Sequence, residues 1–208
     1  MLDAKARGRT DRFVEPIARA AAKTRVTPTV VTLVGLAVTI AGAVLIGAGH
    51  LFIGAVAMGV GALLDILDGV LARVTGTTSR PGAFLDTVTD RFGEIVVWAG
   101  LAYFLAGERS IPVPFNGEVG APMLVMLSLV GVSGSLLIPY LRSKAEGWGV
   151  DGRGGVMGRA ERMLLFGWGV GLHGLGLRTL VPMLWAMAVL TWVTVLQRFF
   201  RIWAQLSE

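Results

Sequence analysis

The chain has 208 residues, 54% of them apolar and 16% charged, with a formal net charge of +5. A soluble domain carries about a quarter charged residues, so the composition excludes a water-soluble globular protein and, with it, the nucleic-acid partner that a positive balance would otherwise suggest. The length suits one membrane bundle of about six spans, and the absence of cysteine excludes a disulfide framework and a thiolate metal site.

Residues 1–28 form a basic segment with Lys5, Arg7, Arg9, Arg12, Arg19, Lys23 and Arg25. No apolar stretch with a small-residue cleavage site follows at signal-peptide distance, so the segment reads as retained. Residues 4–21 are expected to form an amphipathic juxtamembrane helix on the membrane surface, anchored by Phe13, Val14 and Ile17. A plain topology signal accounts for the same charges equally well. Pro28 then suits the first turn of a helix, where its missing N–H costs nothing.

Six apolar segments follow, at 29–48, 51–73, 83–107, 121–141, 160–177 and 180–200. The expected fold is an all-α integral membrane protein, a single domain over 1–208 in which 29–208 make a six-helix bundle. Several segments are rich in Gly, Ala and Ser, which lets helices approach closely in lipid. Of the 19 basic residues, all but Arg109 and Arg178 fall on one side of this arrangement. By the positive-inside rule both termini are expected in the cytoplasm, with the protein in the cell membrane.

The end of the second segment and the start of the third read LLDILDGVLARVTGTTSRPGAFLDTVTDRFGE, placing Asp65, Asp68, Asp86 and Asp90 within apolar surroundings. Asp65 and Asp68, three apart, share a helical face, as do Asp86 and Asp90, four apart. The short polar turn between the helices predicts antiparallel neighbours, so that the two carboxylate pairs face each other. At about 1.5 Å per residue, Asp65 lies about 12 Å along its helix from Arg73, inside the bilayer boundary but near the headgroups.

An aspartate at mid-span costs about 2.5–3.5 kcal/mol on insertion scales, and four clustered carboxylates repel one another. Arg73 and Arg91 are too few to neutralise them. An all-oxygen site suits Mg²⁺ or Mn²⁺, whereas Zn²⁺ prefers His or Cys. Taken alone, the acids fit an ion relay in a transporter equally well. Gly69, Ala72 and Gly82 are small where a bulky ligand would approach, and Arg73 can hold a phosphate. That setting favours metal-assisted phosphoryl chemistry on a lipid.

The run Asp65-x-x-Asp68-Gly69-x-x-Ala72-Arg73, then Gly82-x-x-x-Asp86-x-x-x-Asp90, resembles the complete signature of the CDP-alcohol phosphotransferases. The resemblance implies a six-helix, usually homodimeric enzyme with two metal ions, Mg²⁺ or Mn²⁺, held by Asp65, Asp68, Asp86 and Asp90. It implies a CDP-lipid bound by Gly69, Ala72, Arg73, Gly82 and the first aspartates, with Asp90 as general base.

The signature leaves the acceptor open. The run YLRSKAEGWGVDGRGGVMGRAERMLL combines Arg142, Lys144, Arg153, Arg159 and Arg162 with few acids. A positive-inside loop explains each charge singly; together with Arg198 they suit a phosphate dianion, hence a phosphorylated acceptor. The run is similar to that of the phosphatidylinositol phosphate synthases, as is EPIARA with VTPTVVT near the N-terminus. This resemblance implies CDP-diacylglycerol as donor, inositol 1-phosphate as acceptor, and Arg142, Arg162 and Arg198 as acceptor-phosphate residues. Ser143, Gly158 and Ala160 depart from the usual Ala, Glu and Pro, and Arg142 stands where Lys is often found. An ether-lipid donor, or glycerol 3-phosphate as acceptor, fits the same charges; a divalent-cation transporter would need neither Arg73 nor the loop arginines. Glu94, four residues after Asp90, is expected to pair with a basic neighbour across helices. His50 and His173 are expected in outer loops without a metal role, and Thr77, Thr78 and Ser79 are expected to serve as ordinary turn caps rather than as contacts to nucleotide phosphate.

Overall fold

The computed structural model describes residues 14–24, 26–114 and 117–207. Helix α1 covers 14–22. It is followed by α2 (Pro28–Gly47), α3 (Leu51–Val74), α4 (Arg80–Gly107), strands β1 (Ser110–Pro112) and β2 (Glu118–Gly120), α5 (Ala121–Gly147), α6 (Arg159–Gly174) and α7 (Leu180–Leu206). Every one of the six expected apolar segments coincides with a long helix. The strands pair antiparallel, Ile111 opposite Val119, in a hairpin between α4 and α5 that helical periodicity does not foresee.

Local chemistry sets the helix ends that matter for the site. Thr27 accepts a bond from the backbone N–H of Val30, and Pro28 opens α2. Ser79 accepts from Gly82 N at 3.2 Å and so caps α4, as expected. Arg73 stands in the last turn of α3, where a cation complements the helix dipole.

The bundle is held by close backbone crossings. A Cβ on Gly42 would sit 2.9 Å from the carbonyl oxygen of Gly54, and one on Gly61 3.0 Å from that of Gly35. Only hydrogen at these positions lets α2 and α3 cross so closely, the small-residue packing that apolar helices use in lipid. A core of Ile46, Leu101, Leu124, Leu184 and Met187 fills the end of the bundle away from the α3–α4 turn. A smaller cluster of Ala18, Val31, Val70 and Leu71 ties α1 to α2 and α3, with Val14 packed against it.

Of the expected helix over 4–21, the structure describes residues 14–21, all of them helical. Ile17 is 60% exposed and Ala18 fully buried, so the helix has an apolar contact face and a free apolar side chain. Phe13 and the rest of the expected helix lie outside the described residues.

The expectation for α3 and α4 needs correction. Helix α2 packs along both of them, while α3 and α4 make few direct approaches to each other. The glycines of α3 face α2, and its acids face the gap toward α4; carboxylates cannot close a helix interface as glycines do.

Four helices, α2, α3, α5 and α7, are long and apolar enough to cross a membrane. The chain is thus an all-helical, multi-pass membrane protein apart from its small hairpin. Helix α4 carries Arg80, Asp86, Asp90 and Arg91 in its first half and Glu94 just beyond it, and α6 has 16 residues.

Candidate active site

The site lies at the end of the bundle where α3 turns into α4. One carboxylate oxygen from each of Asp65, Asp68 and Asp86 lies within 4.8 Å of the others. Asp68 is buried, 4% exposed. Thr32 of α2 donates to its Oδ2 at 2.5 Å, fixing the carboxylate from the neighbouring helix. Three converging anionic oxygens with no His or Cys among them fit a hard divalent cation. Left alone they would repel one another in a site of reduced dielectric.

Asp90 lies beside these three. Its Oδ1 is ion-paired with Arg159 of α6, and its Oδ2 lies 3.5 Å from Arg91 Nη2. Arg159 Nη1 also donates to Asp65 Oδ2 at 3.0 Å, so one guanidinium joins α3 to α4 across their gap. Beside it, Glu94 accepts from Arg91 Nη1 at 2.6 Å and from Arg162 Nε at 3.2 Å. The expected cross-helix partner of Glu94 is therefore Arg162, whose side chain is 3% exposed.

These groups line a cleft whose polar wall is made by Thr32, Asp65, Asp90, Glu94, Arg159 and Arg162. Its deeper wall is apolar, with Met58, Trp98 and Phe166. The Trp98 and Phe166 rings meet edge to face at 5.0 Å, closing the inner end.

The small residues of the motif leave room at the mouth. A Cβ on Gly69 would meet only Arg73 Nη1, at 3.5 Å, so that flank of α3 is open. Ala72 is half-buried one turn beyond Asp68, Arg73 is exposed, and Gly82 sits in the first turn of α4. Arg73 also borders a groove shared with Glu15 and Arg19 of α1.

The arginines expected to gather around an acceptor phosphate are only partly together. Arg162 lines the cleft with Asp65 and Asp90. Arg142 pairs with Glu146 at 2.8 Å, and Arg198 donates to the carbonyls of Gly154 and Ile138, both at 2.8 Å. Both flank the 151–155 segment, where a Cβ on Gly152 would lie 2.8 Å from Arg142 Cα. Neither lines the cleft.

Arg159, Arg91 and Thr32 join the site beyond the residues picked from sequence. Arg159 reads there as one charge of the basic run suited to a phosphate, not as a partner of the aspartates, although its i, i+3 spacing from Arg162 puts both on one face of α6. Thr32 falls in the VTPTVVT run, a hydroxyl in an apolar helix that signals a partner across the interface. His50 lies beside the N-terminus of α3, and His173 Nδ1 is 2.9 Å from the Leu177 carbonyl at the far end of α6. Both are remote from the acids.

Residues 25–200 match the CDP-alcohol phosphatidyltransferase family. The chain is 38% identical over 192 residues to the phosphatidylinositol phosphate synthase of Mycolicibacterium smegmatis, covering 90% of this chain and 82% of that one. It is 36% identical over 147 residues to the archaetidylinositol phosphate synthase of Aeropyrum pernix, covering 70% and 67%. The crystal structure of Mycobacterium tuberculosis phosphatidylinositol phosphate synthase with CDP-DAG bound superposes with a TM-score of 0.80 at 32% identity, covering 92% and 94%. The same enzyme in complex with manganese and citrate gives a TM-score of 0.81 at 32% identity, covering 91% and 88%. On this match, and with Asp65 and Asp90 of the family's motif lining the cleft, the chain belongs to the CDP-alcohol phosphatidyltransferase family.

Proposed function

We propose that this protein transfers the phosphatidyl group of CDP-diacylglycerol to inositol 1-phosphate, giving phosphatidylinositol phosphate and CMP. The observation that carries the reading is the convergence of Asp65, Asp68 and Asp86 beside Asp90, at the mouth of a cleft that also holds Arg162. The likeness to phosphatidylinositol phosphate synthases along nine-tenths of the chain supports the choice of donor and acceptor.

Asp65, Asp68 and Asp86, with Asp90 beside them, are the residues that would hold Mg²⁺ or Mn²⁺, which when bound neutralises the donor's pyrophosphate. Gly69 and Gly82 admit the nucleotide close to the backbone; Ala72 keeps the flank narrow, and Arg73 meets phosphate charge at the mouth. Arg162 draws the acceptor's phosphate into the cleft, with Arg142 and Arg198 along the 151–155 segment serving the same dianion. Asp90 takes the proton from the attacking hydroxyl of the acceptor. The new bond joins that oxygen to the phosphorus bearing diacylglycerol, the pyrophosphate P–O bond breaks, and CMP leaves.

The same reading places all six helices α2–α7 across the membrane as one domain. Both termini and the cleft face the cytoplasm, as the distribution of basic residues supports. Helix α1 lies along the membrane surface, with Ile17 toward lipid. A homodimer is an expectation carried by the family resemblance.

A second reading, an ether-lipid donor, is favoured by the likeness to the archaeal enzyme. Mass analysis of lipid formed from each donor with inositol 1-phosphate separates the two. Phosphatidylinositol phosphate from the diacyl donor is expected; product from the ether donor alone would replace the first reading with the second.

A further inference from the structure

Among the described residues, Arg159 reaches into the acid cluster from the far side of the cleft. It opens α6, the helix end at which a positive charge opposes the dipole, so its place is not explained by the helix it begins. Its partners are Asp65 on α3, at 3.0 Å, and Asp90 on α4. Asp65 is also one of the three acids whose oxygens converge. Arg159 therefore draws on a carboxylate that a divalent cation would need.

The two arginines on this face of α6 differ in freedom. Arg162 is 3% exposed and held by Glu94, whereas the Arg159 side chain is 37% exposed. Asp90 Oδ1 is buried and makes no hydrogen bond of proper geometry, although Arg159 is ion-paired with it.

We propose that Arg159 is a resident counter-cation, holding Asp65 and Asp90 together in the cation-free protein and competing with the divalent cation for Asp65. The inference rests on reading Asp65, Asp68 and Asp86 as the cation site. Without a cation, Arg159 relieves the repulsion among the clustered acids. When the cation takes Asp65, the bridge between α3 and α4 opens and Arg159 keeps only Asp90.

The test is Mn²⁺ binding to the purified protein in detergent, followed by the loss of the free-ion electron paramagnetic resonance signal, with thermal unfolding in EDTA measured alongside. Arg159→Gln is expected to bind Mn²⁺ about tenfold more tightly than the wild type, the size of a typical coupling between two ligands, and to unfold at a lower temperature in EDTA. A residue with a merely structural role would weaken cation binding when replaced. Arg159→Lys reaches only one of the two acids and is expected to bind Mn²⁺ a few-fold more tightly; it carries the test if the Gln variant does not fold. Wild-type binding that neither variant improves would overturn this inference alone. No Mn²⁺ binding by the wild type or by either variant would overturn the cation reading of the acids, and this inference with it.

Discussion

The hydroxyl of Thr32 on α2 donates to the carboxylate of Asp68 on α3 at 2.5 Å, both side chains buried. A neighbouring helix thereby helps to orient this acid. Groups that orient metal-binding carboxylates commonly change metal affinity by about 10–100-fold when removed. Thr32→Val, which keeps the shape and removes the donor, is expected to raise the Mn²⁺ concentration for half-maximal activity by about tenfold. An unchanged metal titration would show that Asp68 needs no such support.

Asp90 is held by Arg159 and Arg91 beside the group of three acids. Asp90→Asn is expected to lower kcat by at least about 10²-fold, within the usual contribution of a general base, while CDP-diacylglycerol binding and folding persist. Near-normal turnover would remove Asp90 from the base role.

Arg162 and Glu94 form a buried pair at 3.2 Å, and Glu94 keeps Arg91 as a second partner. Arg162→Gln is expected to destabilise the protein by about 2 kcal/mol, the scale of a hydrogen bond to a charged group, and to raise the KM for inositol 1-phosphate far more than that for the donor. Arg162→Gln with Glu94→Gln restores much of the stability, because no carboxylate is left short of a partner, but not the acceptor KM. Recovery of both would make Arg162 a structural residue only.

The α2–α3 crossing depends on Gly42 against Gly54, where a Cβ would stand 2.9 Å from a carbonyl oxygen. Gly42→Leu forces the helices apart and is expected to cost about 1–3 kcal/mol or more, the usual range for overpacking. Thermal unfolding in detergent should show it. Activity should fall as well, since the same crossing brings Thr32 to Asp68.

The helices are legible in the sequence because each apolar run is long and is ended by Gly, Pro or polar residues, as at Ala48–His50 and Thr75–Ser79. The aspartates are legible because their i, i+3 and i, i+4 spacings put each pair on one helical face. Pairing across the gap is not. The sequence places Asp65, Asp90, Glu94, Arg159 and Arg162 on three helices, and only the packing of α6 decides that Arg159 rather than Arg73 meets Asp65. Short polar turns suggest that α3 and α4 pack together; glycine spacing on α2 and α3 overrides that, a pattern visible only once both helices are laid side by side. Arg142 and Arg198 read as cleft residues by charge alone, yet backbone carbonyls and Glu146 hold them along the loop.

The measurement closest to the central claim is CMP release by the purified protein with CDP-diacylglycerol and Mg²⁺, supplied in turn with inositol 1-phosphate, glycerol 3-phosphate, free inositol or no acceptor. Release that depends on inositol 1-phosphate, and is lost in Asp68→Asn, is the predicted result. Release with glycerol 3-phosphate in its place would contradict the acceptor assignment, and no release with any acceptor from either the diacyl or the ether donor would contradict the transferase reading of the aspartate site.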